Sequence, residues 1–356
     1  MKPFFVNGGA VARPAARRAI YCDGSPDSLY RAGIDLELSH WIPNHTPPRY
    51  KADTSTGICL DFIEHAPDAE AFDLVVNNHI DVDGMLAVFV LVTGAPALAH
   101  RTTLVQAATM GDFWGWGEAA AQILFQALTL EKDRLIAENR DPHEIYTRCF
   151  ALIRRVLAGE PQPAASAGIG ALAESVALID QGTITRTPID TRLVHYAIPL
   201  SLGESEPGRC LHLPSFNEAL SRRSLLSPQA RARTDAERVQ LVSVETSAGS
   251  HYDLWFPGYV WADTATLWRP PGVVPTGDVH MQRLRHAPLA AAVAALGALE
   301  ANPGDWVMAD RLSAFEAVHG RGFPVVVSFI ENGASAPSSI APEIVASHLS
   351  GIFDGD

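Results

Sequence analysis

The chain has 356 residues, of which 47% are hydrophobic and 19% charged, and its formal net charge is -13. This length exceeds one average domain of about 150 residues, so we expect two domains. The composition is typical of a folded protein and excludes a disordered one. Because the negative charge repels nucleic-acid phosphates, the sequence argues against a long nucleic acid as partner and favours a small-molecule substrate.

Neither a membrane span nor a secretory signal is predicted. The apolar run at residues 85–92 is far shorter than the roughly 20 residues needed to cross a bilayer. At the N-terminus a short apolar patch precedes Arg13, Arg17 and Arg18, which reverses the charge order of a secretory signal. The four cysteines show no paired spacing, which indicates isolated thiols. We therefore expect a cytoplasmic protein without a membrane partner, and a homodimer remains open.

The first half of the chain is predicted to alternate strands with helices. Residues 36–44 are typical of a strand that runs into a loop, because three nearby prolines interrupt any helix. Residues 56–65 suit a short helix. Residues 72–77 form an apolar, β-branched run of the kind buried in a parallel sheet, and residues 85–92 suit a buried helix packed on it. This order is half of a βαβ unit, so we predict an N-terminal α/β domain with a parallel sheet between helices.

A second domain is predicted after a linker. Residues 118–157 are typical of helix with a break at 141–142, and the small and proline residues of 159–166 mark the linker. We therefore predict an α/β metal-binding domain over residues 1–160 and a second domain over residues 167–356. The elements expected in the second domain are helices at 169–180 and 289–300 and strands at 193–200, 239–245, 252–261 and 324–330. Their mixture indicates an α+β domain.

The polar segment that follows the predicted strand at residues 72–77 carries the chemistry. Open α/β sheets bind ligands at the carboxyl ends of their strands. Because alternate residues of an extended segment point the same way, His79, Asp81 and Asp83 can present one imidazole and two carboxylates to a common point. Such a set suits Mn²⁺, Fe²⁺, Zn²⁺ or Mg²⁺, which lower the pKa of a bound water and polarise a substrate oxygen. The sequence therefore predicts a divalent metal site here.

Residues 73–87 resemble the first metal motif of the DHH phosphoesterase superfamily. In that motif a buried strand runs into an H-x-D-x-D-G or D-x-D-G tip and then into an apolar helix. The resemblance implies metal-ligand roles for His79, Asp81 and Asp83, two divalent ions with manganese favoured, and hydrolysis of phosphoesters or phosphoanhydrides. It also implies a further carboxylate downstream, for which Asp112 is the candidate, at the end of a neighbouring strand.

Further polar residues are candidates for contact with the substrate. The candidates are His40 and Asn78 for catalysis, and Asn44, Asp53, Thr54 and Ser55 for substrate binding. Asn44 lies in the loop that follows the predicted strand at residues 36–44. Asp, Thr and Ser residues before a helix accept bonds from free backbone amides, so this second group suits either a helix cap or an anion site.

The leading hypothesis is a metal-dependent hydrolase, similar to phosphoesterases, that acts on a small molecule through a metal-activated water. A lyase or an iron-dependent oxidation would use the same ligands. A small-molecule-binding protein without catalysis is a third hypothesis, since the chain lacks an Asp-His-His tripeptide. Two structural alternatives also stay open: Asp81, Asp83 and Asp112 suit helix caps or turns, and the D-x-D-G segment partly resembles a calcium loop.

Overall fold

The chain divides into two compact units. The first unit comprises Met1–Ile169, Asn217–Leu220 and Ala262–Leu267, and the second comprises Gly170–Phe216, Ser221–Trp261 and Trp268–Asp356. The sequence placed the boundary between residues 160 and 167, without the two later segments of the first unit. Their membership depends on contacts distant in sequence, which composition does not show. The computed structural model describes residues 2–10, 12–66, 69–277, 281–313, 317–318 and 321–354.

The first unit contains a parallel sheet and confirms the predicted α/β class. Its strands are β1 (Phe4–Val6), β2 (Ala19–Cys22), β3 (Leu36–Leu38) and β4 (Leu74–Asn77). Its helices are α1 (Ser55–His65), α2 (Val82–Thr93), α3 (Arg101–Asp112), α4 (Ala119–Ala137) and α5 (Pro142–Leu157). The strands pair in the order β1-β4-β2-β3, and all three pairings are parallel. The carboxyl ends of the strands therefore share one edge of the sheet.

The β4–α2 connection shows why this part of the chain folds as it does. Every residue of β4 is buried, as expected for an interior strand of a parallel sheet. Asp81 is the N-cap of α2, since its Oδ1 accepts a hydrogen bond of 2.8 Å from the Gly84 amide. Gly94, at φ 73°, ends the helix. α2 begins at Val82, before the predicted residue 85, because the Asp81 cap starts the helix within the polar segment.

The second unit has the predicted mixed architecture. Its helices are α6 (Ser166–Asp180, which begins in the first unit), α7 (Leu200–Ser205), α8 (Pro207–Cys210), α9 (Pro228–Asp235), α10 (Ala287–Leu299) and α11 (Pro342–Leu349). Its strands are β5 (Thr185–Pro188), β6 (Leu193–Ile198), β7 (Val239–Thr246), β8 (Gly249–Trp255), β9 (Val273–Pro275), β10 (Gln282–Leu284), β11 (Asp305–Met308), β12 (Arg311–Leu312), β13 (Ala317–Val318), β14 (Arg321–Gly322), β15 (Val325–Glu331) and β16 (Ala334–Ser335). The main sheet has the order β11-β15-β8-β7-β6-β5, in which β6 and β7 are parallel and the other pairs antiparallel.

Some element boundaries differ from the predictions for local reasons. The strand predicted over residues 252–261 ends at Trp255, because Pro257 and Gly258 follow and interrupt it. By contrast, the break predicted at residues 141–142 is present, since α4 ends at Ala137 and Asp141 caps α5. Within the described residues, no helix combines the length and the apolar character that a membrane crossing requires.

Candidate metal centre

Six ionisable side chains converge beside the carboxyl ends of β2, β3 and β4. We call this set the acidic centre, and it consists of Asp23, His40, His79, Asp81, Asp83 and Asp112. Asp23 directly follows β2, His40 comes two residues after β3, and the tip of β4 supplies the next three members. The prediction that Asp112 lies at a strand end is wrong, because it is the last residue of α3.

The first ligand group is fully buried. Its members Asp23, His40, Asp83 and Asp112 offer ligand atoms that all lie within 4.8 Å of one another. His40 Nε2 lies 3.3 Å from Asp112 Oδ2, 3.5 Å from Asp23 Oδ1 and 3.7 Å from Asp83 Oδ2. Three carboxylates around one imidazole carry more negative charge than the imidazole can balance, and a buried charge requires a partner. The group therefore suits a cation.

The second ligand group shares Asp23 with the first. It consists of Asp23, His79 and Asp81, again with ligand atoms within 4.8 Å. His79 Nε2 is 2.9 Å from both Asp23 Oδ2 and Asp81 Oδ2, but its hydrogen bond goes to Asp81. Asp23 Oδ2 is buried and accepts no hydrogen bond. Asp23 thus places one oxygen in each group, as a ligand shared by two neighbouring cations would.

Both imidazoles are held with Nε2 towards the carboxylates. His40 Nδ1 is 2.9 Å from the carbonyl oxygen of Asp53, which can only accept, so Nδ1 carries the hydrogen. His79 Nδ1 is 2.7 Å from Asn78 Oδ1, and the Asn78 amide donates to the Ser25 carbonyl at 2.7 Å, which fixes its orientation. Metal-ligating histidines commonly have this arrangement, in which the outer nitrogen donates and the inner one binds the ion.

Asp81 and Asp83 also have structural roles. Asp83 Oδ2 accepts from the Ser55 amide at 2.7 Å, and its Oδ1 accepts from the Thr56 amide at 2.8 Å, so its carboxylate lies at the N-terminus of α1. Asp81 Oδ1 caps α2, whereas its Oδ2 faces His79. The helix-capping role that was the structural alternative for Asp81 and Asp83 is therefore present in the structure. It does not exclude metal binding, because each carboxylate oxygen has a second lone pair.

Mutual repulsion and burial shift the protonation of the acidic centre. Burial, assisted by the charges of Asp81 and Asp83, raises the pKa of Asp112 well above its usual range. Burial and the charge of Asp23 raise the pKa of Asp83 to about 6. Burial alone would lower the pKa of His40, but its hydrogen bond with Asp112 and the charges of Asp83 and Asp23 raise it to about 10. A bound cation would stabilise the carboxylates in their charged form.

Gly24 and Gly84 leave space that side chains of the acidic centre and their partners need. A Cβ on Gly84 would lie 2.9 Å from both Asn77 Nδ2 and Asp23 Oδ2. Gly24 has φ 77°, and a Cβ there would lie 2.3 Å from Asn78 Oδ1. Any larger residue at either position would displace a side chain that forms or orients the acidic centre.

Thr54 and Ser55, predicted to bind substrate, are buried supports of the acidic centre. Thr54 is the N-cap of α1, and its side chain accepts from the Gly57 amide at 3.1 Å. Ser55 Oγ donates to Asp23 Oδ1 at 2.8 Å and accepts from the His40 amide at 3.2 Å. Their hydroxyl groups position the cap and the ligands.

Asp53 and Asn44, which were predicted to bind substrate, form hydrogen bonds with other residues of the first unit. The Asp53 carboxylate accepts from the Thr266 amide at 3.0 Å and from its hydroxyl at 2.7 Å. The Asn44 amide donates to the Trp41 carbonyl at 2.8 Å and to Asp263 Oδ2 at 3.1 Å. These bonds order the loop after β3, which carries His40.

Three contributors were not predicted from the sequence. Asp23 was overlooked because no apolar helix follows β2 as α2 follows β4, although an apolar run followed by Asp-Gly repeats the pattern seen after β4. Trp41 Nε1 donates to Asp23 Oδ1 at 2.8 Å. Asn217 Nδ2 donates to Asp112 Oδ1 at 3.3 Å from a position 105 residues away, a pairing without a local sequence signal.

Comparison with known proteins identifies a family. A family model described as a family of unknown function, DUF6687, matches residues 10–252. No curated protein and no solved structure matches the chain. The matched region covers more than half of the chain and contains all six residues of the acidic centre. The chain therefore belongs to the DUF6687 family.

Proposed function

We propose that the protein is a metal-dependent hydrolase of a small-molecule substrate and that the acidic centre holds its divalent ions. The convergence of four carboxylates and two imidazoles at one sheet edge, with Asp23 common to both ligand groups, carries this proposal. Open α/β sheets bind their ligands at this edge. The six residues lie near the ends of three different strands and one helix, so the fold brings them together.

The donor set fits hard or borderline divalent ions. Carboxylate oxygens with imidazole nitrogens suit Mn²⁺, Mg²⁺, Fe²⁺ and Zn²⁺, and the excess of oxygen favours Mn²⁺ or Mg²⁺. The shared Asp23 fits two ions, the arrangement found in many phosphatases and nucleases. Such ions lower the pKa of water and neutralise charge that develops on a substrate oxygen. The resemblance of residues 73–87 to the DHH motif supports a phosphoester or phosphoanhydride as the substrate.

Exposure indicates the side from which a substrate arrives. The side chain of His79 is 26% exposed and that of Asp81 is 6% exposed, whereas those of His40, Asp83 and Asp112 are 0% exposed. A substrate would therefore meet the His79 side of the acidic centre. The buried ligands on the other side exclude bulk water, which strengthens every electrostatic interaction there.

Hydrolysis is favoured over an iron-dependent oxidation by the composition of the acidic centre. Iron-dependent oxygenases typically bind one ion through two histidines and one carboxylate with open positions. Four carboxylates instead suit redox-inert chemistry on a negatively charged substrate. A binding protein without turnover would not need His79 held by Asn78 at the exposed side of the site.

Metal analysis combined with an activity assay tests the proposal. Protein purified without chelator is analysed for metals and assayed with p-nitrophenyl phosphate, bis-p-nitrophenyl phosphate and pyrophosphate. We expect bound divalent metal, loss of hydrolysis after EDTA treatment and recovery with Mn²⁺. Asp81→Ala should lose hydrolysis and part of the bound metal, because its ligand group has only three protein ligands and cannot spare a carboxylate.

A matched control is available on α1. Asp61 belongs to a more exposed cluster with Glu64 and His65, so Asp61→Asn should leave metal content and hydrolysis unchanged. Equal metal content in wild type and Asp81→Ala would refute the metal site. Metal-loaded protein that hydrolyses none of the three substrates would refute the hydrolase and leave a binding protein.

A further inference from the structure

A small recess in the second unit is lined by charged side chains that the acidic centre does not use. Its lining includes Arg231 from α9, His251, Asp253 and Trp255 from β8, and Arg321 from β14. The recess offers about 20 Å³ of room to water-sized groups. That is room for one oxygen-sized group, since one water requires roughly 10–15 Å³. His251 and Arg321 are only half-buried, so solutes can reach the recess from their side.

Arg231 is a buried guanidinium without an acidic partner among the described residues. It is 1% exposed, its Nη1 donates to the neutral Gln240 amide, and its guanidinium carbon lies 4.0 Å from the centre of the Trp255 ring. Its Nε donates no hydrogen bond. Burial lowers the pKa of Arg231 to about 10, so the group is still charged at neutral pH. A buried, unpaired charge costs several kcal/mol, so proteins rarely leave one without compensation.

The nearest carboxylates are occupied by other cations. Asp235, one turn along α9, accepts from Arg186 Nη2 at 2.6 Å and from its Nε at 2.7 Å. Asp253 accepts from Arg321 through both oxygens and from Ser328 Oγ at 2.9 Å. Each carboxylate is thus neutralised by its own arginine, and the charge of Arg231 is left over.

Trp255 supplies a second donor without an acceptor. Its Nε1 is buried and makes no hydrogen bond. Arg231 Nε and Trp255 Nε1 therefore both lack acceptors, and both residues line the same recess. A water molecule in the recess could accept these hydrogen bonds, but it would not balance the charge of Arg231. An anion does both.

We propose that this recess receives one oxygen of a small oxyanion, held by the Arg231 guanidinium and the indole N–H of Trp255. The oxyanion is either inorganic or the terminal phosphate or carboxylate group of a larger solute that enters past His251 and Arg321. The site is independent of the acidic centre, since all its residues belong to the second unit.

Titration calorimetry of the full chain tests the proposal. Inorganic phosphate, sulfate and acetate are titrated separately at constant ionic strength set with chloride. Saturable binding of at least one of them is expected, and the preference between tetrahedral anions and acetate identifies the group that the recess accepts. No saturable binding of any of the three would overturn the proposal.

Three variants separate the recess from other anion sites. Arg231→Met should abolish binding, and Trp255→Phe, which keeps the stacked ring, should weaken it about tenfold by removing one donor to a charged acceptor. Arg233→Gln, on the same helix but ion-paired with Asp180, should bind like wild type. Wild-type protein treated with EDTA should keep this binding, which distinguishes the recess from phosphate bound at the metal site.

The affinities of the Arg231 and Trp255 variants either support or overturn the proposal. Wild-type affinity in both Arg231→Met and Trp255→Phe would overturn the proposal. If Arg231→Met fails to fold, Trp255→Phe decides alone, because it changes neither the charge nor the ring stacking. A tenfold loss in Trp255→Phe with normal thermal stability would support the recess as the binding site.

Discussion

Asp23 is the residue on which both ligand groups of the acidic centre depend. One of its oxygens accepts from Trp41 and Ser55, at 2.8 Å each, and lies 3.5 Å from His40. The other oxygen faces His79. Burial opposes its charge, but the nearby His79 charge lowers the pKa of Asp23, so this carboxylate is already ionised before a metal binds.

Asp23→Asn should therefore reduce metal binding more than a change at a ligand that belongs to one group. The amide keeps the size of the side chain and can still accept from Trp41 and Ser55, but it removes the charge shared by both groups. We expect the metal stoichiometry to fall towards zero in Asp23→Asn and only partly in Asp112→Asn. Metal analysis after gel filtration measures this, and equal losses in the two variants would contradict a shared ligand.

Asn78 offers a test of what holds the His79 ring in its orientation. Because its side chain is exposed and contacts His79 Nδ1, Asn78→Ala should keep the fold but let the imidazole turn. Loss of such an outer partner typically weakens metal binding about 10- to 100-fold. Asn78→Asp retains an acceptor and should restore the affinity, as measured by competition with a metal-sensitive dye. Identical affinities in wild type and Asn78→Ala would show that the ring is held by packing alone.

At the scale of elements, predictability from sequence depended on the apolar helix that follows a strand. β4 has only four residues, but the long apolar α2 follows it after a polar segment, and that pattern predicted His79, Asp81 and Asp83 together. β1 and β2 have three and four residues and no such helix directly after them, so neither β2 nor Asp23 was predicted. His40 was predicted as a catalytic residue and not as a ligand, because its distance from the acids is set by strand order, which sequence does not contain.

Glu300, the residue after α10, has a carboxylate that stabilises the local structure. Glu300 Oε1 accepts from the amides of Asn302 and Ser339 at 3.0 and 2.9 Å. Its Oε2 accepts from Trp306 Nε1 at 3.0 Å and from Ser338 Oγ at 2.5 Å. Burial alone would raise the pKa of Glu300, but these hydrogen bonds lower it to about 2.

Glu300→Gln should make the protein less stable in a pH-dependent way. Because the folded pKa of about 2 lies below the ordinary value of 4.5, the ionised group contributes stability that is present above pH 4.5 and lost as the pH falls through 2. We expect a loss of about 2 kcal/mol in the free energy of unfolding at pH 7 and a smaller loss at pH 3. Urea unfolding at both pH values measures it, with the exposed Glu331→Gln as control. A loss that does not change with pH would contradict this account.

At the scale of the whole molecule, metal binding and folding should be coupled. The acidic centre gathers like charges in a buried place, and a ligand that binds only the folded state stabilises it by mass action. At a Mn²⁺ concentration 100 times the dissociation constant, the gain is about 2.7 kcal/mol. Differential scanning calorimetry with EDTA and with Mn²⁺ should show this as a higher unfolding midpoint. Asp81→Ala should show a smaller shift, whereas a shift of equal size in that variant would place the ions elsewhere.

The discontinuity of the first unit has a consequence for the order of synthesis. All six residues of the acidic centre have been made once the ribosome passes residue 112, but Asn217, the hydrogen-bond donor to Asp112, and the segment Ala262–Leu267 come later. At a rate of roughly 5–20 residues per second, the chain reaches residue 267 only about 8–30 s after Asp112. The nascent chain thus carries the complete set of acids before the unit that encloses them can close. A fragment ending at residue 170 would keep all six side chains and lack that donor.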